Sequence, residues 1–250
     1  MSLTIEERLT IIKGLNVYQP RSPYALATIT AAGDTAAVDA GSSIAFVVNL
    51  NAQMKADVLN STLLAQLDAD ASFDRQKDTM GWYNSYKKTL STLGWMVTDF
   101  KFTRLEDVHS FKSAEELILD YASTYLSKQE HDLFAIMLTA LQQPANRGAA
   151  KLMDNSARVL NQTNFQAGVA SVTSGQPTFK IGAYTCTASW TLEHAVFFQL
   201  HPQLDRGGTI QFYAESQTMT LDDKIYSQLR AAVLAKLGNN AQALVDSIVL

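Results

Sequence analysis

Cys186 is the residue with the most distinctive chemistry in this chain, because it is the single thiol among 250 residues. One thiol forms no internal disulfide, which excludes a scaffold stapled by bridges, and it excludes a zinc site built on several cysteines. In the strand pattern around it, Tyr184, Ala188 and Trp190 share its face, while Thr185 and Thr187 take the other. A nucleophilic cysteine needs a neighbouring base, and none is close in sequence. An acyl-carrying thiol needs only an apolar slot, so Cys186, Tyr184 and Trp190 form one candidate set for acyl attachment or a pocket. The second candidate set is aromatic. Trp82, Tyr83 and Tyr86 stand in the densest aromatic stretch, with Lys87 and Lys88 beside them. They either line a pocket or pack a helix against a sheet, and the second reading is favoured.

Other chemistry is thinly supported. His194 and His201 flank one expected strand and would lie about 23 Å apart if extended, too far to share a metal ion. His131 is expected on a solvated helix face and His109 in a loop. Asp68, Asp70 and Asp74 form a loose acidic cluster without EF-hand spacing, read as solvated loop acids. Glu115-Glu116 and Asp222-Asp223 read as acids at helix N-termini. The sequence contains no phosphate-binding G-x-x-x-x-G-K-[ST], no G-x-G-x-x-G, no H-E-x-x-H and no G-x-S-x-G. No catalytic residue, metal ligand or cofactor is therefore assigned, and the expectation leans away from an enzyme.

The elements that position these residues follow from pattern. A helix begins after Thr4 and ends near Gly14, with acids in its first turn. Asn16–Gly41 reads as loop with one short strand at most. Ser43–Leu50 is a buried strand or the start of a helix, and periodicity does not decide. Ala52–Ala69 carries Met54, Val58, Leu59, Leu63 and Leu67 on one helical face. A helix capped by Asp78 runs to Gly94, and Trp95–Arg104 alternates like a half-buried strand. Ser113 with Glu116 and Ser127 with Glu130 open two helices, to about Leu126 and about Gln142, that fold back as a hairpin. Ala149–Leu160 is a further helix. Phe165–Val172, Thr178–Trp190, His194–Leu200 and Thr209–Glu215 read as strands. The turns Ser174-Gly175 and Arg206-Gly207-Gly208 between them favour antiparallel pairing. Asp222–Leu237 is a helix closed by Gly238, and Ala241–Ile248 a short last helix.

The apolar share of 47% is enough to bury a core. The net charge of -4 gives no basic field to attract nucleic acid. The first residues resemble no signal peptide and no apolar run approaches the ~20 residues of a membrane span. The expectation is a soluble chain, cytoplasmic as synthesised, with signal-independent export left open. No linker or repeat divides it, so residues 1–250 read as one α/β domain of α+β class, with a boundary near Gln143–Gly148 as the alternative.

Two stretches carry a resemblance. One runs Asp57–Ser61 into Leu63–Gln66, then Phe73-Asp74, Asp78-Thr79, Trp82-Tyr83, Tyr86, Leu90 and Gly94-Trp95. The other is the late strand block followed by a helix with Tyr226 and Arg230. Together they resemble a family of bacterial and fungal proteins of this size, most of them uncharacterised. More distantly, the order of elements is similar to the Evf virulence factor and the Cyt cytolytic toxins. That resemblance implies a three-layer α-β-α sandwich, an antiparallel sheet covered by helical hairpins. It also implies a non-enzymatic protein that associates with lipid or a membrane surface, with a fatty acid on a cysteine as in Evf. The alternatives are an interaction or assembly protein, or a small-molecule-binding enzyme. The oligomeric state is left open.

Overall fold

The computed structural model describes residues 3–17, 35–97, 100–105, 108–200, 208–238 and 240–250, apart from the side chains of 109, 241 and 242. Most of the loop expected over Asn16–Gly41, the Arg206-Gly207 part of a turn, and His201 lie outside these residues. The described chain is α+β, with a mostly antiparallel open sheet.

The sheet grows from a long hairpin. β6 (Gln162–Thr173) and β7 (Gln176–Ala188) pair antiparallel along their whole length. Ser174 (φ 52°) and Gly175 (φ 80°) make the connection, and two consecutive positive φ angles match the right-handed twist of the flanking strands. β8 (Ile210–Leu221) pairs antiparallel with β7, so the late strand block is the expected antiparallel platform. On the other side of β6 lies β2 (Ser42–Phe46), followed by β1 (Thr35–Asp39) and the edge strand β9 (Val245–Ile248). The β2–β6 pair is parallel, with Ser42 opposite Gln166. A parallel pair needs a long crossover, and the entire helical middle of the chain supplies it. Short strands β3 (Trp95–Met96) and β4 (Thr103–Arg104) pair with β8, and β5 (Arg158–Val159) with β6.

Most helices form where capping chemistry starts them. Thr4 and Ser127 make reciprocal capping boxes for α1 (Ile5–Gly14) and α5 (Lys128–Leu141). Asn51, Asp78, Ser113 and Asp222 cap α2 (Ala52–Ser72), α3 (Thr79–Thr92), α4 (Ala114–Ala122) and α7 (Asp223–Leu237). α6 (Arg147–Ala157) has no such side-chain cap. A short α8 (Asn240–Ala243) precedes β9.

Several expectations are corrected. Trp95–Arg104 is not one strand but two separate two-residue strands, because Phe100 turns inward outside either of them. His194–Leu200 forms no strand. It makes an isolated bridge, Gln199 with Ser113 before α4, and is held by backbone bonds to Lys112 and Ala114 and by side chains, among them Thr163 of β6. The last segment is helical only over Asn240–Ala243; Val245–Ile248 closes the sheet edge beside β1, since its β-branched residues suit a strand. α4 stops at Ala122, four residues early. Asp68 and Asp70 are helical rather than loop residues. The largest correction concerns α2. It has no solvated face along most of its length: Lys55, Asp57, Ser61, Thr62 and Gln66 are buried with its leucines.

Candidate functional site

α3 places Trp82, Tyr83 and Tyr86 on one inward face by its i, i+1, i+4 spacing. All three are buried. Trp82 stacks on Tyr86 (5.1 Å between centroids) and meets Tyr83 edge-on at 4.8 Å; Phe100 and Phe102 pack on Tyr83. The rings fill space rather than line an opening. Their polar tips are aimed at partners: Trp82 Nε1 donates to Asp70 Oδ1 (2.6 Å) and Tyr83 donates to Asn164 Oδ1 (3.1 Å) on β6.

Those partners belong to a buried polar layer that sequence reasoning missed. At its centre Arg75 lies 3.9 Å above the Trp82 ring and donates to Gln66 Oε1 and Asp70 Oδ1. Gln66 spans the β1–β2 turn, accepting from Gly41 N and donating to Asp39 O. Gly41 has no alternative there, since a Cβ would lie 2.0 Å from Arg75 Nη1. Ser42 donates to Gln166 Oε1, and Thr62 donates to Asp39 Oδ2, each at 2.5 Å. Asp39 Oδ1, Arg75 Nε and Nη1, Tyr86 Oη and Gln166 Nε2 are buried without a hydrogen-bond partner among the described residues. Burial pushes the Asp39 carboxyl up to about 8, against the opposing pull of the Thr62 hydrogen bond and the Arg75 charge. Burial also raises the Tyr83 and Tyr86 phenols, so both stay protonated near neutrality. The signal for this layer was a second face on α2, with Asp57, Ser61, Thr62 and Gln66 at i, i+4, i+5 and i+9.

The opposite faces of β6 and β7 hold the other candidate set. Tyr184 is buried, stacked on Phe165 (5.1 Å), and its hydroxyl meets that of Tyr125 at 3.1 Å. Gly182, two residues before, makes room for both: a Cβ there would lie 2.3 Å from Tyr184 Oη and 2.6 Å from Tyr125 Oη. Lys180 continues the row and donates to Glu130 Oε2 at 2.7 Å. Gly182, Tyr184 and Lys180 thus form the seat on which the α4–α5 hairpin rests. Glu130 is pulled up by burial but more strongly down by its bonds from Lys180 and Ser127, and ends below the ordinary value of 4.5. Cys186 is buried on the Tyr184 side of β7, with its thiol pushed up by burial and therefore protonated; Trp190, half-buried, lies beyond the strand end. Neither a family model nor a curated protein matches the chain.

The remaining candidates are scattered. His131 bonds to Leu119 O at 2.9 Å, which ties the hairpin together, and it is half-buried rather than solvated. His194 pairs with Asp154. Asp68 accepts from Thr89 and Asp70 from Trp82, while Asp74 caps the turn before α3 through Gln76 and Lys77. Among the described residues no three metal-binding side chains converge, and no helix is long and apolar enough to cross a membrane. The two stretches that carry the family resemblance meet directly: Arg230 on α7 makes two bonds to Asp57 on α2, at 2.8 and 2.7 Å. Trp95 Nε1 donates to Ser61 at 2.9 Å. These pattern residues act as fasteners between elements.

Proposed function

We propose that this chain is a non-enzymatic lipid- or membrane-associating protein of virulence-factor or cytolysin type. In this reading it is one three-layer α-β-α unit, and the α4–α5 hairpin leaves its seat on the sheet at a bilayer surface. The observation that carries the reading is the seat itself. Among the described residues its side-chain polar fastenings to the sheet are the ion pair Lys180–Glu130, the hydroxyl contact Tyr125–Tyr184 and the Tyr121 hydroxyl facing Ser216. Between them α5 turns Leu133, Phe134, Met137, Leu138 and Leu141 inward, while Ile136 stays 52% exposed on its outer side. A released α5 is an amphipathic helix suited to the interface. α2 stays in place in this reading, because moving it would strand its buried polar groups. Cys186 is buried on the Tyr184 face of β7, opposite Thr163, so acylation requires that face to open. Co-sedimentation with liposomes, with and without anionic lipid, tests the proposal, together with intact-mass measurement of the native protein. Binding that rises when Lys180→Met loosens the seat is the expected result; no sedimentation at any lipid composition refutes it.

A second reading rests on a groove of about 800 Å³ between α1, α2 and α3, with Ile11, Leu15 and Phe73 beside Asp68, Lys88 and Thr89. Its size suits a small molecule. Ligand-induced stabilisation without liposome binding favours this reading over the first.

A further inference from the structure

The segment 192–197 is irregular yet held at several points. Asp154 Oδ1 accepts from Ala195 N (2.6 Å), Thr163 donates to Ala195 O (3.1 Å), and Arg158 donates to Leu192 O (2.8 Å). The second oxygen of Asp154 meets His194 Nδ1 at 3.1 Å. That contact fixes the imidazole and places the hydrogen on Nδ1, as a carboxylate behind a working histidine does. Nε2 has no protein partner among the described residues. Facing this segment is the turn after α5, locked by Asn146, whose amide bonds to Ala140 O, Val249 O and Val249 N at 2.8 to 2.9 Å. Between the two walls lies a groove of about 640 Å³, within the range of small-ligand sites.

Its lining combines an apolar floor with cationic chemistry. Leu141, Pro144, Ala150 and Phe197 supply the floor. Gln142, Gln143, Arg147 and His194 supply the polar groups, and Arg147 has no ion-pair partner among the described residues. Asp246 sits against Gly148 in the first turn of α6, so that helix terminus already faces a carboxylate. Recognition of a ligand anion therefore falls to the Arg147 side chain. We propose that this groove binds a small organic carboxylate with an aromatic or branched apolar body. Its carboxylate is held by the Arg147 fork, with the His194 ring beside it as the reporter of occupancy, and its body lies against Phe197 and Leu141.

The test is an NMR titration of the full chain with phenylacetate, following the histidine ring C–H resonances, with phenylacetamide as a neutral probe of the same shape. Loss of one resonance in His194→Gln identifies His194. The expected result is a saturable shift of that resonance with phenylacetate, little response to phenylacetamide, and about tenfold weaker binding in Arg147→Gln. Both variants alter exposed side chains, so unchanged spectra elsewhere certify their folds. Equal binding of the amide, full affinity in Arg147→Gln, or no saturable shift into the millimolar range overturns the assignment.

Discussion

The two faces of β6 and β7 are closed in different ways. Toward α2 and α3 the closure is a polar lattice: Asn164 and Gln166 of β6 bond outward to Tyr83, Arg75 O and Ser42, while Gln66 and Thr62 reach back to the β1–β2 turn. Toward the α4–α5 hairpin the closure is mostly apolar, with few polar contacts among the described residues: the Lys180–Glu130 ion pair, the Tyr125–Tyr184 hydroxyl pair and Tyr121 facing Ser216. The difference matters for opening. Separating the lattice leaves several buried polar groups without partners, each at a cost of about 1–3 kcal/mol. Lifting the hairpin exposes apolar area and breaks only a few polar contacts, and a bilayer can take up the apolar part. One face is built to stay shut, and the other can exchange its cover.

The largest effect should come from the centre of the lattice. Arg75→Ala removes the ring stacking on Trp82 and strips Gln66 and Asp70 of a donor; it should cost about 3–5 kcal/mol in urea unfolding. A cost below 1 kcal/mol would remove the contrast between the faces. Asp39 gives a pH test of the same region. Its folded-state carboxyl titrates near 8 and its ordinary value is 3.8, so between these the folded state keeps a proton that the unfolded chain releases. Stability from this group therefore falls as pH rises, by about 1.4 kcal/mol per unit between pH 5 and 7. Asp39→Asn should lose that slope, so that its stability relative to the parent climbs with pH; parallel curves would show Asp39 to be ionised in the fold.

How much of this was legible beforehand follows the same divide. Period and capping marked α1, α3, α5 and α7, because each starts on a side-chain cap and shows an apolar stripe. The β6–β7 hairpin was legible from Ser174-Gly175 between β-branched runs. The parallel β2–β6 pairing was not, since nothing local distinguishes a strand that pairs with a neighbour over a hundred residues away. The lattice was hidden because a buried Gln66 or Asp39 looks like a surface residue until its partners are known. Trp82, Tyr83 and Tyr86 were marked as a group, and they do meet, but their role as a wall of that lattice depends on Asn164 and Arg75. Gly182 gave no sign at all, being one of twelve glycines.

On the hairpin face, Gly182→Ala should have an intermediate effect. The added methyl meets the Tyr125 and Tyr184 hydroxyls, and one of them must move. Overpacking of this kind costs about 1–3 kcal/mol. The loss should concentrate in α4–α5, read as faster amide exchange there with β6–β8 protected as before. Uniform loss of protection would mean that the hairpin and the sheet open together.

Lys180→Met is the smallest and sharpest variant, because it removes one tether and keeps the aliphatic stem. The expected cost is about 1 kcal/mol, as for a partly exposed pair. Acid should reproduce it in the parent protein. Glu130 titrates below its ordinary value in the fold, so its contribution is complete above that value and disappears as pH falls through the lowered one. Hairpin exchange should thus accelerate below about pH 4 in the parent, and the acceleration should be blunted in Lys180→Met, where the carboxylate has already lost its cation. If both proteins respond to acid alike, the ion pair does not fasten the hairpin and the seat is held by packing alone.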